Sequence, residues 1–274
     1  MGFGDDLLYI RAAELQHKAT NKTIKPTRKG RPKVISELWK NITFISNNGE
    51  LPLDELINTD GRPNTQTANW TREYNTNPDY HPESPNTAIL NKEDYALADT
   101  LQRPFILLCP DPKGEGSHHD INKTWYGWQD LANKLKDYKL IRLTHNAKDQ
   151  QYSKRTPDFK HYDNVVDIHT NNIRESLAVV EYAELVICTD GFFHHAANYT
   201  NTKAIVIWGS CTSHKTLGYK GQLNIYTECE GHPCYTIHKP CEVCVSNMKS
   251  ITADMIVKCV KNKADPRREE LSPR

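Results

Sequence analysis

Nothing in the 274 residues approaches the ~18 consecutive apolar positions that a membrane-spanning helix needs. The opening stretch MGFGDDLL lacks the basic and apolar parts of a secretory signal, so the expectation is a cytoplasmic protein with no transmembrane segment. Net charge is also lacking: 35 Lys+Arg against 34 Asp+Glu leave +1 and no global nucleic-acid signature. There is no internal repeat, and no G-x-G-x-x-G follows a strand with an acidic residue placed for a ribose, which weighs against a dehydrogenase. In an intracellular chain the N-x-T triplets at Asn21, Asn41, Asn69, Asn122 and Asn198 carry no weight.

What is present has its clearest rhythm in the second half. FILLCPD, KLIRLT, VVDIH, LVICTD and AIVIWGS read as strands, and WYGWQDLANKLKDY, IRESLAVVEYA and FFHHAANYT as the helices between them. Strands alternating with helices imply a parallel sheet covered on both faces. Residues 103–265 are therefore expected to form one Rossmann-like domain, followed by a solvated tail over 266–274. Residues 1–102 are less regular. DDLLYIRAAELQHKA fits a helix through Leu7, Leu8, Ile10, Ala13 and Leu15, ITFISN reads as a strand, and 51–91 is a long polar loop rich in Pro, Asn, Asp and Thr.

Four clusters can carry chemistry. In TDGFFHHAANYT, Gly191 lies at a strand end where a helix begins, and ligands of open α/β sheets bind at such ends, a phosphate facing the helix N-terminus. Thr189, Asp190 and His194 flank it, while His195 is assigned to the core; a tight turn over a packed histidine is the competing reading. Lys123 follows the preceding β-α strand, where a lysine can neutralise a diphosphate or simply be solvated. Trp125 and Trp128 read as core anchors, and Gly209 and Ser210 form a third strand-end turn. GFGDD opens a helix, so Asp5 and Asp6 can cap it, or one of them can act as a general base in a cleft. Finally, Cys229, Cys234, Cys241 and Cys244, interleaved with His232 and His238, suit either a closed zinc site or reduced thiols under a loop. A basic segment between Lys18 and Lys40 holds the single acid Glu37.

Together these motifs resemble glycosyltransferase family 9, the heptosyltransferase-like enzymes of GT-B fold, and in particular a short subgroup. TDGFFHHAA is similar to the family's D-T-G-x-x-H-x-A-A pattern through Gly191, His194, Ala196 and Ala197. AIVIWGSCTSHKTLGY resembles its strand, glycine turn and G-Y segment through Gly209, Gly218 and Tyr219, and NKTWYGWQDLANKL resembles its K-x-W segment through Lys123 and Trp125. PCEVCVSNMKSITADMIV looks like its cysteine-rich end and final helix, and GFGDD looks like its opening G-x-G-D turn. Thr189 stands where the family has an aspartate, with Asp190 one place later.

The resemblance implies two Rossmann-like domains facing a cleft, here with a reduced N-terminal domain, and inverting, metal-independent transfer of a sugar from a nucleotide-sugar donor. It implies Asp5 as catalytic base and Lys123, Thr189, Asp190, Gly191, His194, Gly209 and Ser210 around the donor, with no cofactor; the absence of a D-x-D motif near a strand end agrees. Arg11, Lys29 and Arg31 are the cations expected at the acceptor. That acceptor is expected to be a saccharide or lipopolysaccharide-like molecule. A modified DNA base held near Trp70, Tyr74 and Tyr80 is an alternative, as is a non-catalytic nucleotide-sugar-binding protein.

Overall fold

The computed structural model describes residues 3–28, 31–32, 36–54, 82–110, 121–145, 164–227, 229, 233–234 and 240–261. The second half is α/β and Rossmann-like. Its strands are β4 (Ile106–Cys109), β5 (Leu140–His145), β6 (Val165–Thr170), β7 (Leu185–Thr189), β8 (Ala204–Trp208) and β9 (Leu223–Tyr226). They form one six-stranded sheet of order β6-β5-β4-β7-β8-β9, parallel throughout. β4 and β8 are buried at every position because helices cover both faces, which is why they read as continuous apolar runs.

One face is covered by α3 (Ile173–Tyr182) and α4 (Phe192–Tyr199), the other by α2 (Trp128–Lys134) and α7 (Ala253–Lys261). Asn172 starts α3 by accepting the backbone N–H groups of Arg174 and Glu175. On the far face Leu131, Leu135, Ile187, Ile225 and Ile256 are fully buried, each contributing roughly 1.5–3 kcal/mol of apolar burial. Trp125 and Trp128 meet edge to face with centroids 4.9 Å apart, and Trp125 Nε1 donates to the Ile251 carbonyl, so both rings anchor this core.

The N-terminal part is smaller. β1 (Ile24–Arg28), β2 (Arg31–Pro32) and β3 (Leu51–Asp54) form a three-stranded sheet of order β2-β1-β3. α1 (Phe3–Thr20) packs between this sheet and α4, with Leu7, Leu8, Tyr9, Ile10, Ala12 and Ala13 all buried. Leu15, expected on the buried stripe, is instead exposed. Tyr9 stacks on Trp39 and donates to the Leu53 carbonyl at 3.0 Å, fixing α1 to β3. Glu14 is buried because Arg11, Lys18, the Asn86 N–H and the Thr87 hydroxyl all donate to it.

ITFISN is not a strand. Ile42 donates its N–H to Trp39 and Ile45 donates to Ile42, so local turns satisfy the backbone and only an isolated bridge from Ile45 to Ile24 remains. The apolar side chains of Ile42, Phe44 and Ile45 that suggested a strand are core plugs on this turn.

Candidate functional site

The strand order reverses between β4 and β7: from β4 the sheet grows outward through β5 and β6, and from β7 through β8 and β9. At such a reversal the connections leave in opposite directions and open a crevice at the carboxyl ends of the strands. Lys123 arrives here on the short helical turn Ile121–Lys123 after β4, and Asp190 and Gly191 follow β7 directly. Gly209 and Ser210 follow β8, the next strand along. Thr189, the last residue of β7, is buried.

Lys123 Nζ lies 2.5 Å from Asp190 Oδ2, and Thr212 Oγ1 donates to the same oxygen at 2.6 Å. Asp190 is buried, which by itself would raise its pKa. The charge of Lys123, the His194 ring and the hydrogen bonds from Lys123 and Thr212 outweigh burial and hold the carboxyl well below the usual carboxylate range. The lysine side chain is 20% exposed. A permanent carboxylate thus fixes an ammonium at the mouth of the crevice.

Gly191 caps α4. Its N–H donates to His194 Nδ1 at 3.0 Å, so that nitrogen is an acceptor and Nε2 carries the proton. His194 is fully buried, and burial pushes its pKa down to about 4 against the pull of Asp190, so the ring is neutral at pH 7. A β-carbon added to Gly191 would meet nothing within 4 Å, so the crevice is open in front of this turn. The first-turn N–H groups of α4, which a helix cannot satisfy internally, give this edge partial positive charge. His195 is also buried, with Nδ1 2.8 Å from the Tyr219 hydroxyl. Gly4 in the first turn of α1 rests on it, and a β-carbon there would fall 2.7 Å from His195 Cδ2 and 3.3 Å from Phe192 Cα. The GFGDD and TDGFFHH motifs therefore adjoin; of Asp5 the structure describes the helical backbone.

The turn after β8 is held from below. A β-carbon on Gly209 would sit 2.5 Å from the Asn122 carbonyl oxygen, so glycine lets the Lys123 turn close onto β8. Ser210 is buried and its Oγ accepts from Asn247 on α6 (Glu242–Ser250). Beside it the Sγ atoms of Cys234, Cys241 and Cys244 lie within 4.8 Å of one another. Cys229 is not in that group, whereas Cys211, fully buried after Ser210, contacts Cys234. His232 and His238 lie outside the described residues.

Of the expected acceptor cations, Arg11 braces α1 through Glu14 and Glu83. Lys29 lies outside the described residues, as do Trp70, Tyr74 and Tyr80, and Arg31 is described only as backbone of β2. Sequence reasoning missed Thr212, Asn122 and Cys211. Asn122 and Thr212 differ from solvated polar residues only by what they touch, and Cys211 lies outside any C-x-x-C spacing.

No curated protein matches the chain. Among solved structures, the iron-containing dodecameric glycosyltransferase TibC from enterotoxigenic E. coli H10407 aligns with TM-score 0.67 and 11% identity, over 96% of this chain and 73% of that one. The family 9 glycosyl transferase from Veillonella parvula DSM 2008 aligns with TM-score 0.61 and 11% identity, over 96% and 94%. E. coli heptosyltransferase WaaC, solved with ADP-2-deoxy-2-fluoro heptose, aligns at 13% identity and TM-score 0.43 over 71% of this chain, which spans 55% of its length. The family model described as glycosyltransferase family 9 (heptosyltransferase) matches residues 67–244, more than half of the chain. With that match over the crevice and its three strand-end turns, the chain belongs to glycosyltransferase family 9.

Proposed function

We propose that this protein transfers a sugar from a nucleotide-sugar donor to a hydroxyl of a saccharide or lipopolysaccharide-like acceptor by inverting displacement. The observation that carries the reading is the Lys123–Asp190 pair beside the open Gly191 turn, at the reversal of a parallel sheet in a family 9 chain. In the reaction the acceptor oxygen bonds to the anomeric carbon as the bond from that carbon to the diphosphate breaks. Asp5 takes the acceptor proton. The nucleoside diphosphate departs with negative charge building on its oxygens, which the Lys123 ammonium and the N-terminus of α4 stabilise.

Asp190 orients Lys123, and His194 orients the Gly191 turn from beneath rather than touching the phosphates. Gly209 and Ser210 line the nucleotide side. Support for Asp5 comes from the contact of its neighbour Gly4 with His195 and Phe192, which sets the start of α1 against the start of α4. On the acceptor side Lys29 and Arg31 are the cations of the reading. No step is routed through a metal, although the thiol cluster is this chain's candidate for one, and TibC is described as iron-containing.

ADP-heptose heads the donor panel because the family is described as heptosyltransferase, followed by UDP- and GDP-sugars. One of them should raise the melting temperature and be consumed with a suitable acceptor. Asp5→Asn should keep that thermal shift and lose turnover. A panel without any stabilising donor would sink the reading, and binding without donor consumption by the unmodified protein would make it a binding protein. Mass spectrometry of bulk saccharides and of digested DNA from producing cells identifies the acceptor; a sugar increment on nucleosides would overturn the saccharide assignment.

A further inference from the structure

The thiol cluster is wired to the donor edge through backbone on both sides. Cys241 donates its N–H to Asn122 Oδ1 at 2.8 Å, and Asn122, itself fully buried, immediately precedes Lys123. Cys234 donates its N–H to the Ser210 carbonyl at 3.2 Å, and Cys211 follows Ser210 directly. Cys241 is the residue from which α6 starts and Cys244 lies in its first turn, while Asn247 and Met248 of the same helix reach Ser210 and Gly209. Cys211, Cys234 and Cys241 therefore each sit one residue or one hydrogen bond from a turn that forms the crevice, and Cys244 joins them through its contact with Cys234 and through helix α6.

The cluster has the size of a metal site. Thiolates around a tetrahedral zinc at about 2.3 Å stand about 3.8 Å from one another. Here three Sγ atoms lie within 4.8 Å, and the Cys234 and Cys244 sulfurs are 3.5 Å apart. A small contraction closes them on one ion, and Cys211, lying against Cys234, is the thiol available for the fourth position.

We propose that Cys234, Cys241 and Cys244, completed by Cys211, bind one thiophilic metal ion, and that this ion clamps the Lys123 turn and the Ser210 turn at the spacing the donor diphosphate requires. The ion is remote from the bond that breaks and acts on donor affinity through position alone. The clamp draws its purpose from the donor-site reading, but metal binding and ordering of the two turns are measurable without it.

The test uses the full chain stripped with a chelator and titrated with Zn2+. About one equivalent should bind, read by elemental analysis and by competition with a chromophoric indicator, and Co2+ should give a tetrahedral thiolate spectrum. Hydrogen exchange over 121–123 and 209–212 should slow on loading, and ADP should bind about tenfold more tightly to the loaded form, the scale typical of outer-shell effects. Cys244→Ser should lose the ion. Because that variant can also lose its fold, Asn122→Ala serves as a second probe: it should retain full Zn2+ stoichiometry while exchange protection over 121–123 disappears. Failure to bind Zn2+ overturns the proposal. Binding with unchanged exchange in both turns overturns the clamp. Slowed exchange with no binding of ADP, UDP or GDP in either form upholds the clamp and instead removes the donor reading.

Discussion

Gly4 of α1 lies directly on the imidazole of His195 in α4, with no room for a methyl group between them: an added β-carbon would be 2.7 Å from Cδ2. The ring cannot yield easily because its Nδ1 is engaged by the Tyr219 hydroxyl. Gly4→Ala should therefore destabilise the protein by about 1–3 kcal/mol, the usual cost of overpacking. It should also lower turnover more than donor affinity, since it moves Asp5 relative to the crevice. Urea denaturation and steady-state kinetics measure the two effects, and an alanine variant of unchanged stability would contradict the packing described.

Gly191 gives the opposite expectation. Its φ of 169° is extended backbone open to any residue, and the space before it is clear. Gly191→Ala should leave the unfolding free energy within about 0.5 kcal/mol of the parent. The added methyl projects into the crevice, so donor affinity should fall at least about tenfold. Calorimetric titration with the stabilising donor decides this, and full affinity would mean that the donor does not approach the turn.

Lys123 and Asp190 should behave as a unit. Lys123→Met leaves a buried carboxylate with its charge uncompensated, at a cost of about 3 kcal/mol, the lower end for buried pairs because the lysine is partly exposed. Adding Asp190→Asn removes that stranded charge, so the double variant should recover most of the stability and none of the donor binding. A double-mutant cycle by chemical denaturation, with thermal shift by donor as second readout, checks both. Additive stability losses would show that the pair is not coupled.

The pH dependence of stability follows from His194. Its folded pKa is about 4 against 6.5 unfolded, so between those values the unfolded chain binds a proton that the folded one refuses. Stability present above pH 6.5 is therefore lost as pH falls through about 4, amounting to about 3 kcal/mol for this buried ring. His195, whose pKa burial also depresses, adds a loss of the same sign. Asp190 contributes in the same direction at lower pH, since its depressed carboxyl is lost only well below 3.8. His194→Gln should flatten the slope of urea midpoint against pH between 6.5 and 4, and an unchanged slope would assign the titration elsewhere.

The α/β half was legible because its central strands are short apolar runs between helices of clear period, as in ILLC and AIVIW. β1 was not legible: IKPTR carries a lysine, an arginine and a proline, and its strand character comes from pairing with β2 and β3 rather than from composition. ITFISN misled for the converse reason, alternation without a ladder. At the site, Gly191 and Lys123 stood out because they follow strands. The partnership of Lys123 with Asp190 did not, because 67 positions separate them and only the sheet order brings them together. Cys211 was invisible as a neighbour of the thiol cluster for the same reason: it meets Cys234 through space, with β9 between them in the chain.

The strand order has a consequence for how the protein acquires its crevice. β4 finds β5 and β6 with the chain that immediately follows it, but its other neighbour, β7, is made only after both of those strands and α3. Closing so long a loop costs more chain entropy than joining β4 to β5, so the β4–β7 pairing is expected to form after β4–β5. A nascent chain that has emerged only through β6 carries a lysine with no carboxylate to hold it and an unpaired strand edge along β4. The edge that carries Lys123 and Asp190 is thus completed only when its two flanks join, the event that turns a folded half-sheet into one continuous crevice wall.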